Sequence, residues 1–324
     1  VALRLVFSHK DLARVRLAPA SDPLWELTLS VHRLHRPRSA RSYEDWTGWV
    51  RTIGSSRAHA AARVLGTLIP VRGYFPDFLT PPEHFASIDE GIDIVVRTPR
   101  RRLREELGRL DRLPQWGQGL RDGARAQLDG LAAALRTYHD VLIGPHWNRI
   151  GQRLDADRNA RVAQLLAGGT ERMLSGFGPL MRWRAPVLEV DYPVHREVHL
   201  GGRGLLLVPS FFCHLTPVSL ADDDLPPVLV YPVDPDPDWM RFPDQDRHLE
   251  ALLGRTRAAV LRSAAYGSST SQIARRLRVS PASVSEHVGV LRDSGLLASR
   301  RQGRSVLHCP TRLGSGLVRG CLDA

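Results

Sequence analysis

The sequence predicts an α+β protein: a mostly helical N-terminal region with a small antiparallel sheet, followed by a C-terminal domain of short helices and a two-stranded hairpin. Helical periodicity runs through residues 21–175, and from Pro186 it gives way to short alternating apolar runs. The third observation is charge. Between residues 247 and 312 twelve arginines face three acidic residues (Glu250, Glu286 and Asp293), which places +9 of the chain's net +11 in that segment. The basicity is local, as in a nucleic-acid-binding domain attached to an otherwise balanced protein.

Length and composition bound the rest. A chain of 324 residues with 43% hydrophobic and 24% charged residues can bury a sizeable core in two or three domains. The cysteines, Cys213, Cys309 and Cys321, show no CxxC spacing, so a disulfide framework is not expected and a reducing cytoplasm is. No apolar run is long enough to span a bilayer and no signal-peptide core is visible, so no membrane partner is expected.

Residues 3–7 alternate as a strand, and 14–17 are expected to pair with it after a turn at 8–11. Ser21-Asp22-Pro23 opens a helix with Leu24, Leu27, Val31 and Leu34 on one face, ended by Pro37. Helices follow over 42–53 and 57–68. The Pro- and aromatic-rich stretch 70–82 is expected to be an ordered loop packing Tyr74, Phe75 and Phe78 into the core, and its alternative role is one wall of a ligand pocket. Residues 87–112 are helical in part. Their cluster Arg97, Arg100, Arg101, Arg102 and Arg104 sits beside Glu105 and Glu106, as a solvated face would, rather than as an auxiliary phosphate contact. A strong helix over 119–141 buries Leu128, Leu131, Leu135 and Tyr138, and another begins at Pro145 and is stopped by Gly168-Gly169. Strands are expected over 187–192, 197–200, 204–208 and 227–231.

Residues 222–246 carry eight aspartates and six prolines, a composition that resists regular structure. This gives an N-terminal region 1–240 with a subdivision near 85, a linker at 232–246, and a C-terminal domain 247–324. One lead-in helix is expected over 247–265. Any helix in 311–323 would be short and weak, given Gly314, Gly316 and Gly320.

Within the C-terminal domain, Ser269 and Gln272 have the spacing of a capping box at the head of a helix with Ile273, Ala274 and Leu277 on one side. A turn at Arg278-Val279-Ser280 follows, with Val279 expected to pin it to the core. Ser280-Pro281 starts a second helix that buries Val284, Val288 and Leu291, and Gly295 ends it. Ala282, Ser283, Ser285, Glu286 and His287 are left outside at the front of that helix. Small and polar side chains there suit contact with base edges in a major groove. Strands over 296–301 and 305–309 meet at Gln302-Gly303-Arg304, so Arg300, Arg301 and Arg304 cluster at a tip suited to gripping phosphate. The order of elements is that of a winged helix-turn-helix. The contacts expected with double-stranded DNA are Ser269, Gln272, Ala282, Ser283, Ser285, Glu286, His287, Arg292, Arg300, Arg301, Gln302 and Arg304.

The segments LGRTR at 253–257, TSQIARRL, VSPASVSEHVGVLRDSGLL and RRQGRSVLHCPT resemble the ArsR-type winged-helix repressors of high-GC actinomycetes, over about a fifth of the chain. The resemblance implies a homodimeric, operator-binding regulator whose recognition helix is 280–292. Metal-sensing members carry paired cysteines on the helix that here spans 272–277. This sequence has none there, so metal sensing through that site is not expected.

Other chemical motifs are weak. His195 and His199 would face the same way along a strand, about 13 Å apart, too far for one ion. Gly201-Gly202-Arg203-Gly204 has no helix start behind it and reads as a turn rather than a phosphate cradle. Ser210 lacks a glycine elbow. Cys213-His214 and His308-Cys309 are adjacent pairs that strands would point opposite ways. No enzyme activity, metal or cofactor is expected. The expected function is repression of transcription, with a small-molecule effector in the N-terminal region. The alternative is a small-molecule-binding or enzymatic N-terminal module tethered to nucleic acid by the basic domain.

Overall fold

The computed structural model describes residues 2–35, 41–53, 55–71, 73–83, 85, 87–235, 239, 245–264, 268–302 and 305–319. The chain is α+β and divides into two units, Val1–Met240 and Arg241–Ala324.

The first unit opens with β1 (Ala2–Val6), whose Leu3 and Leu5 alternate inward. The next residues form a helical turn, α1 (His9–Leu12), instead of a hairpin. Ser8 caps it, and the Asp11 carboxylate accepts from Ser8 N (2.7 Å) and from Gly204 N (2.9 Å). That clamp redirects the chain. β2 (Arg16–Leu17) therefore pairs with a distant strand and not with β1 as expected.

At the centre lies α2 (Pro23–His35), buried on nearly every side from Leu24 to Val31. Asp22 Oδ1 accepts from the backbone of Leu24 and Trp25 and holds its first turn. A helix surrounded by protein must satisfy its polar side chains internally. Ser30 Oγ meets Tyr138 Oη at 2.9 Å, and the fully buried Glu26 accepts from the amides of Phe211 (2.9 Å) and Phe212 (3.0 Å).

Packed against it are α3 (Arg41–Thr52), α4 (Ser56–Leu68) and α5 (Ile88–Val96), and α6 (Arg100–Leu107) follows α5 in the chain. These are followed by α7 (Gln115–Arg121) and α8 (Arg125–Tyr138), into which the single expected helix over 119–141 is divided at residues 122–124. α9 (Trp147–Ser175) breaks at Gly168-Gly169, the expected stop, where Gly169 takes φ 71°. The arginine cluster on α5 and α6 is neutralised by Asp93, Glu105, Glu106 and Asp122. Phe78, Leu79, Phe85 and Ile92, on both sides of the subdivision expected near 85, belong to one core.

In place of the one small antiparallel sheet expected, the described residues of the first unit form two four-stranded sheets, and both are mixed. One has the order β3 (Met181–Arg184), β4 (Val187–Asp191), β1, β5 (Arg196–His199), with β1 antiparallel to β4 and parallel to β5. The other has the order β2, β6 (Leu206–Ser210), β8 (Val228–Pro232), β7 (Val218–Ser219), with β6 parallel to β2 and β8. Leu207–Ser210 and Val228–Tyr231 are buried on both faces, so these strands read as continuous apolar runs, as parallel strands do. The stretch expected to be a free linker is partly core. Val233 is buried, and Trp239 packs edge-on against Phe211 (4.7 Å) and His146 (5.5 Å).

The second unit contains α10 (Gln245–Leu253) and α11 (Arg255–Ser263), separated by Gly254 at φ 80°, where one lead-in helix was expected. It continues with β9 (Ser268–Ser269), α12 (Thr270–Leu277), α13 (Pro281–Asp293), β10 (Leu297–Gln302), β11 (Ser305–Pro310) and α14 (Arg312–Arg319). Its three-stranded sheet, in the order β10-β11-β9, is antiparallel. Among the described residues no helix is long and apolar enough to cross a membrane.

Candidate nucleic-acid interface

Local chemistry shapes the second unit. Ser269 and Gln272 make the capping box: Gln272 N donates to Ser269 Oγ (3.4 Å) and Ser269 N donates to Gln272 Oε1 (2.8 Å). Both side chains are thus engaged at the head of α12, although Gln272 stays exposed. Arg278 closes the helix in the left-handed region at φ 55°, and Val279 N donates to Ala274 O. The backbone makes this turn by itself, so Val279 is not the expected core pin and is 36% exposed.

Ser280 Oγ accepts from Ser283 N (3.1 Å) and Pro281 occupies the first position of α13. Val284, Val288 and Leu291 face the core with Val260, Leu261 and Ile273. That rotation leaves Ala282, Ser285 and Glu286 exposed and Ser283 and His287 half-buried. Arg292 is exposed at the far end, 3.3 Å from Asp293. Gly295 takes φ 72°, and Leu296 N donates back to Leu291 O.

The hairpin register pairs Arg300 with Leu307 and Arg301 with Val306. Arg300 and Arg301 are both exposed, but as strand neighbours they point to opposite faces, so they do not form the single cluster expected. Gln302 ends β10, and its side chain lies outside the described residues, as do Gly303 and Arg304.

Two features are not legible in the sequence. β9 adds a third strand, pairing Ser268 and Ser269 with His308 and Leu307. His308 is buried while Cys309 is exposed, and its ring nitrogens lie 2.9 Å from Thr270 Oγ1 and Ser299 Oγ. It ties the start of α12 to the hairpin, and burial with the nearby Arg292 charge pushes its pKa down. The only hint in the sequence is that neighbours on a strand must face opposite ways.

Charge distinguishes the two units. Among the described residues Arg275, Arg278, Arg300 and Arg301 make no ion pair, whereas each arginine of the α5–α6 cluster has a carboxylate within 4 Å. Also among the described residues, no group of three or more His, Cys, Asp or Glu side chains could hold a metal ion. Comparison with protein-family models, curated proteins and solved structures gives no match for the chain.

Proposed function

We propose that this chain is a sequence-specific regulator of transcription that binds double-stranded DNA through a C-terminal winged helix-turn-helix of the ArsR type. In this proposal α13 enters the major groove, the β10–β11 hairpin lies along the phosphate backbone, and the protein represses as a homodimer. The observation that supports it best is α13 itself: a Pro-started helix with Ala282, Ser285 and Glu286 exposed at its front, in a unit whose Arg275, Arg278, Arg300 and Arg301 have no carboxylate partner among the described residues. Exposed Leu252 and Leu313, on the mutually packed α10 and α14, favour pairing with a second copy. Half-sites about one helical turn, ~10 bp, apart then follow from two-fold symmetry.

The test is binding of the full chain to its gene's upstream DNA across a salt series. Arg300→Ala and Arg301→Ala should each lower the slope of log K against log salt by about 0.9 for a lost phosphate contact. Ser285→Ala and Glu286→Ala should instead change which sequence is preferred. No DNA complex at low salt, or an unaltered preference in both α13 variants, overturns the proposal. A cleft in the first unit favours a small-molecule effector there.

A further inference from the structure

The first unit encloses a cleft of about 520 Å³, within the range of drug-sized ligand sites. It is assembled from four separated stretches: α2, the loop before the short helix Asp77–Leu79, the turn between β4 and β5, and the segment that leads through β7. Its lining is largely apolar and rich in rings, with Leu29, Tyr74, Phe75 and Tyr192 among the contributors. Phe75 is buried and also walls the cleft, Phe78 lies in the core as expected, and Tyr74 is half-buried along the cleft instead of in the core.

Three observations point to a ligand rather than a packing gap. The rim is apolar where it meets water: Val71 and Val194 line the cleft while remaining 43% and 57% exposed. Leu215 lies between the lining residues His214 and Thr216, is 72% exposed, and holds φ 64°, which a leucine seldom adopts. The walls are also held open by buried carboxylates. Asp77 accepts from Ala221 N and Asp222 N at 2.9–3.1 Å, and Glu26 holds the amides of Phe211 and Phe212 just before the lining Cys213.

Charge narrows the ligand class. The lining contains two arginines, Arg33 and Arg196, against one carboxylate, Asp77, whose oxygens are taken by backbone amides. Arg196 donates to Leu220 O and Ala221 O and is ion-paired with the Asp223 carboxylate at 2.5 Å, which leaves two of the five N–H donors of its guanidinium. We propose that this cleft binds a drug-sized, ring-bearing apolar molecule carrying one anionic group, seated on Leu29, Phe75 and Tyr192 and answered by the lining cations.

This gives the effector of the proposed regulator a site, yet it rests on residues of the first unit alone. The test uses the full chain without DNA and a matched pair of fluorescent probes: 8-anilino-1-naphthalenesulfonate, which is anionic, and N-phenyl-1-naphthylamine, its uncharged counterpart. The anionic probe should bind one-to-one and at least about tenfold more tightly, consistent with one added charged contact. Val194→Trp and Val71→Trp, at exposed rim positions where a large side chain does not disturb the core, should each weaken it about tenfold with unchanged melting temperature. Equal or tighter binding of the uncharged probe overturns the proposal. So does anionic-probe binding that both rim variants leave untouched, or no binding at all. DNA binding by the same preparations is measured separately, so loss of the cleft proposal and loss of the regulator proposal are distinct results.

Discussion

Gly314 packs against the Leu296 carbonyl and Gly295 directly precedes Leu296, so substituting each tests how the second unit is closed. Thr311 N donates to Leu296 O (3.0 Å), Thr311 Oγ1 donates to Gly295 O (2.6 Å), and Gly314 N donates to Thr311 Oγ1 (3.1 Å). These bonds dock α14, whose Leu317 and Val318 pack on the core of the unit. A Cβ on Gly314 would lie 2.0 Å from Leu296 O and 3.0 Å from its carbonyl carbon. Both atoms are backbone, so no rotamer relieves the clash, and α14 must move by more than an ångström. Losing two of the bonds at about 1 kcal/mol each, with part of the apolar burial, sums to about 3 kcal/mol. At Gly295 a Cβ meets nothing within 4 Å, but φ is 72°, so alanine costs about 1–2 kcal/mol from conformation alone. Amide hydrogen exchange of the full chain, followed at α13 and Leu296, reads the opening of this unit separately from residues 1–240. Gly314→Ala should lower protection there by about 100-fold and Gly295→Ala by about tenfold. A smaller effect at Gly314 than at Gly295 would refute the steric account.

Three further outcomes are expected. Leu291→Ala, at a fully buried position of α13, should destabilise the second unit by about 2–5 kcal/mol and weaken DNA binding in proportion to the unfolded fraction, as urea titration can establish. Burial pushes the Glu26 carboxyl up from 4.5 to about 7 against the pull of its amide donors, so the folded state holds a proton that the unfolded chain has released. Stability from this group is present below pH 4.5 and lost as pH rises through 7, worth about 3 kcal/mol at most. The stability gap between wild type and Glu26→Gln should therefore move against the wild type between pH 5 and pH 8, and a pH-independent gap would count against it. His146, edge-on to Trp49 and Trp239, is held by burial and the Arg149 charge at about 4 instead of 6.5. Its contribution is intact above pH 6.5 and lost as pH falls toward 4, so His146→Gln should flatten acid unfolding over that window.

Most helices were legible because their signals are local. The Ser269–Gln272 box, the Ser280 cap with Pro281 behind it, and the break at Gly168-Gly169 each involve residues within one turn of one another. One departure falls where a distant partner decides, and two fall on local turns. Asp11 turns the chain into α1 because Gly204, far along the sequence, supplies an amide, and β2 then joins β6. Gly254 gives no stop signal in the sequence because glycine is tolerated within helices, and its positive φ divides α10 from α11. By polarity alone the side chain of Val279 belongs in the core, yet a main-chain bond closes the turn and leaves it outside.

By itself the sequence determined where most helices start and stop and where charge is concentrated, since caps, periodicity and composition act over a few residues. Tertiary structure alone decided which strands pair, and in which direction. A period of two says which side chains share a face but not which neighbour covers it. The same holds for the cleft, whose walls come from stretches between Leu29 and Ala221 that no local pattern relates. They meet because α2 is buried on nearly every side, and the buried Glu26 and Asp77 draw the surrounding loops inward through their backbone amides.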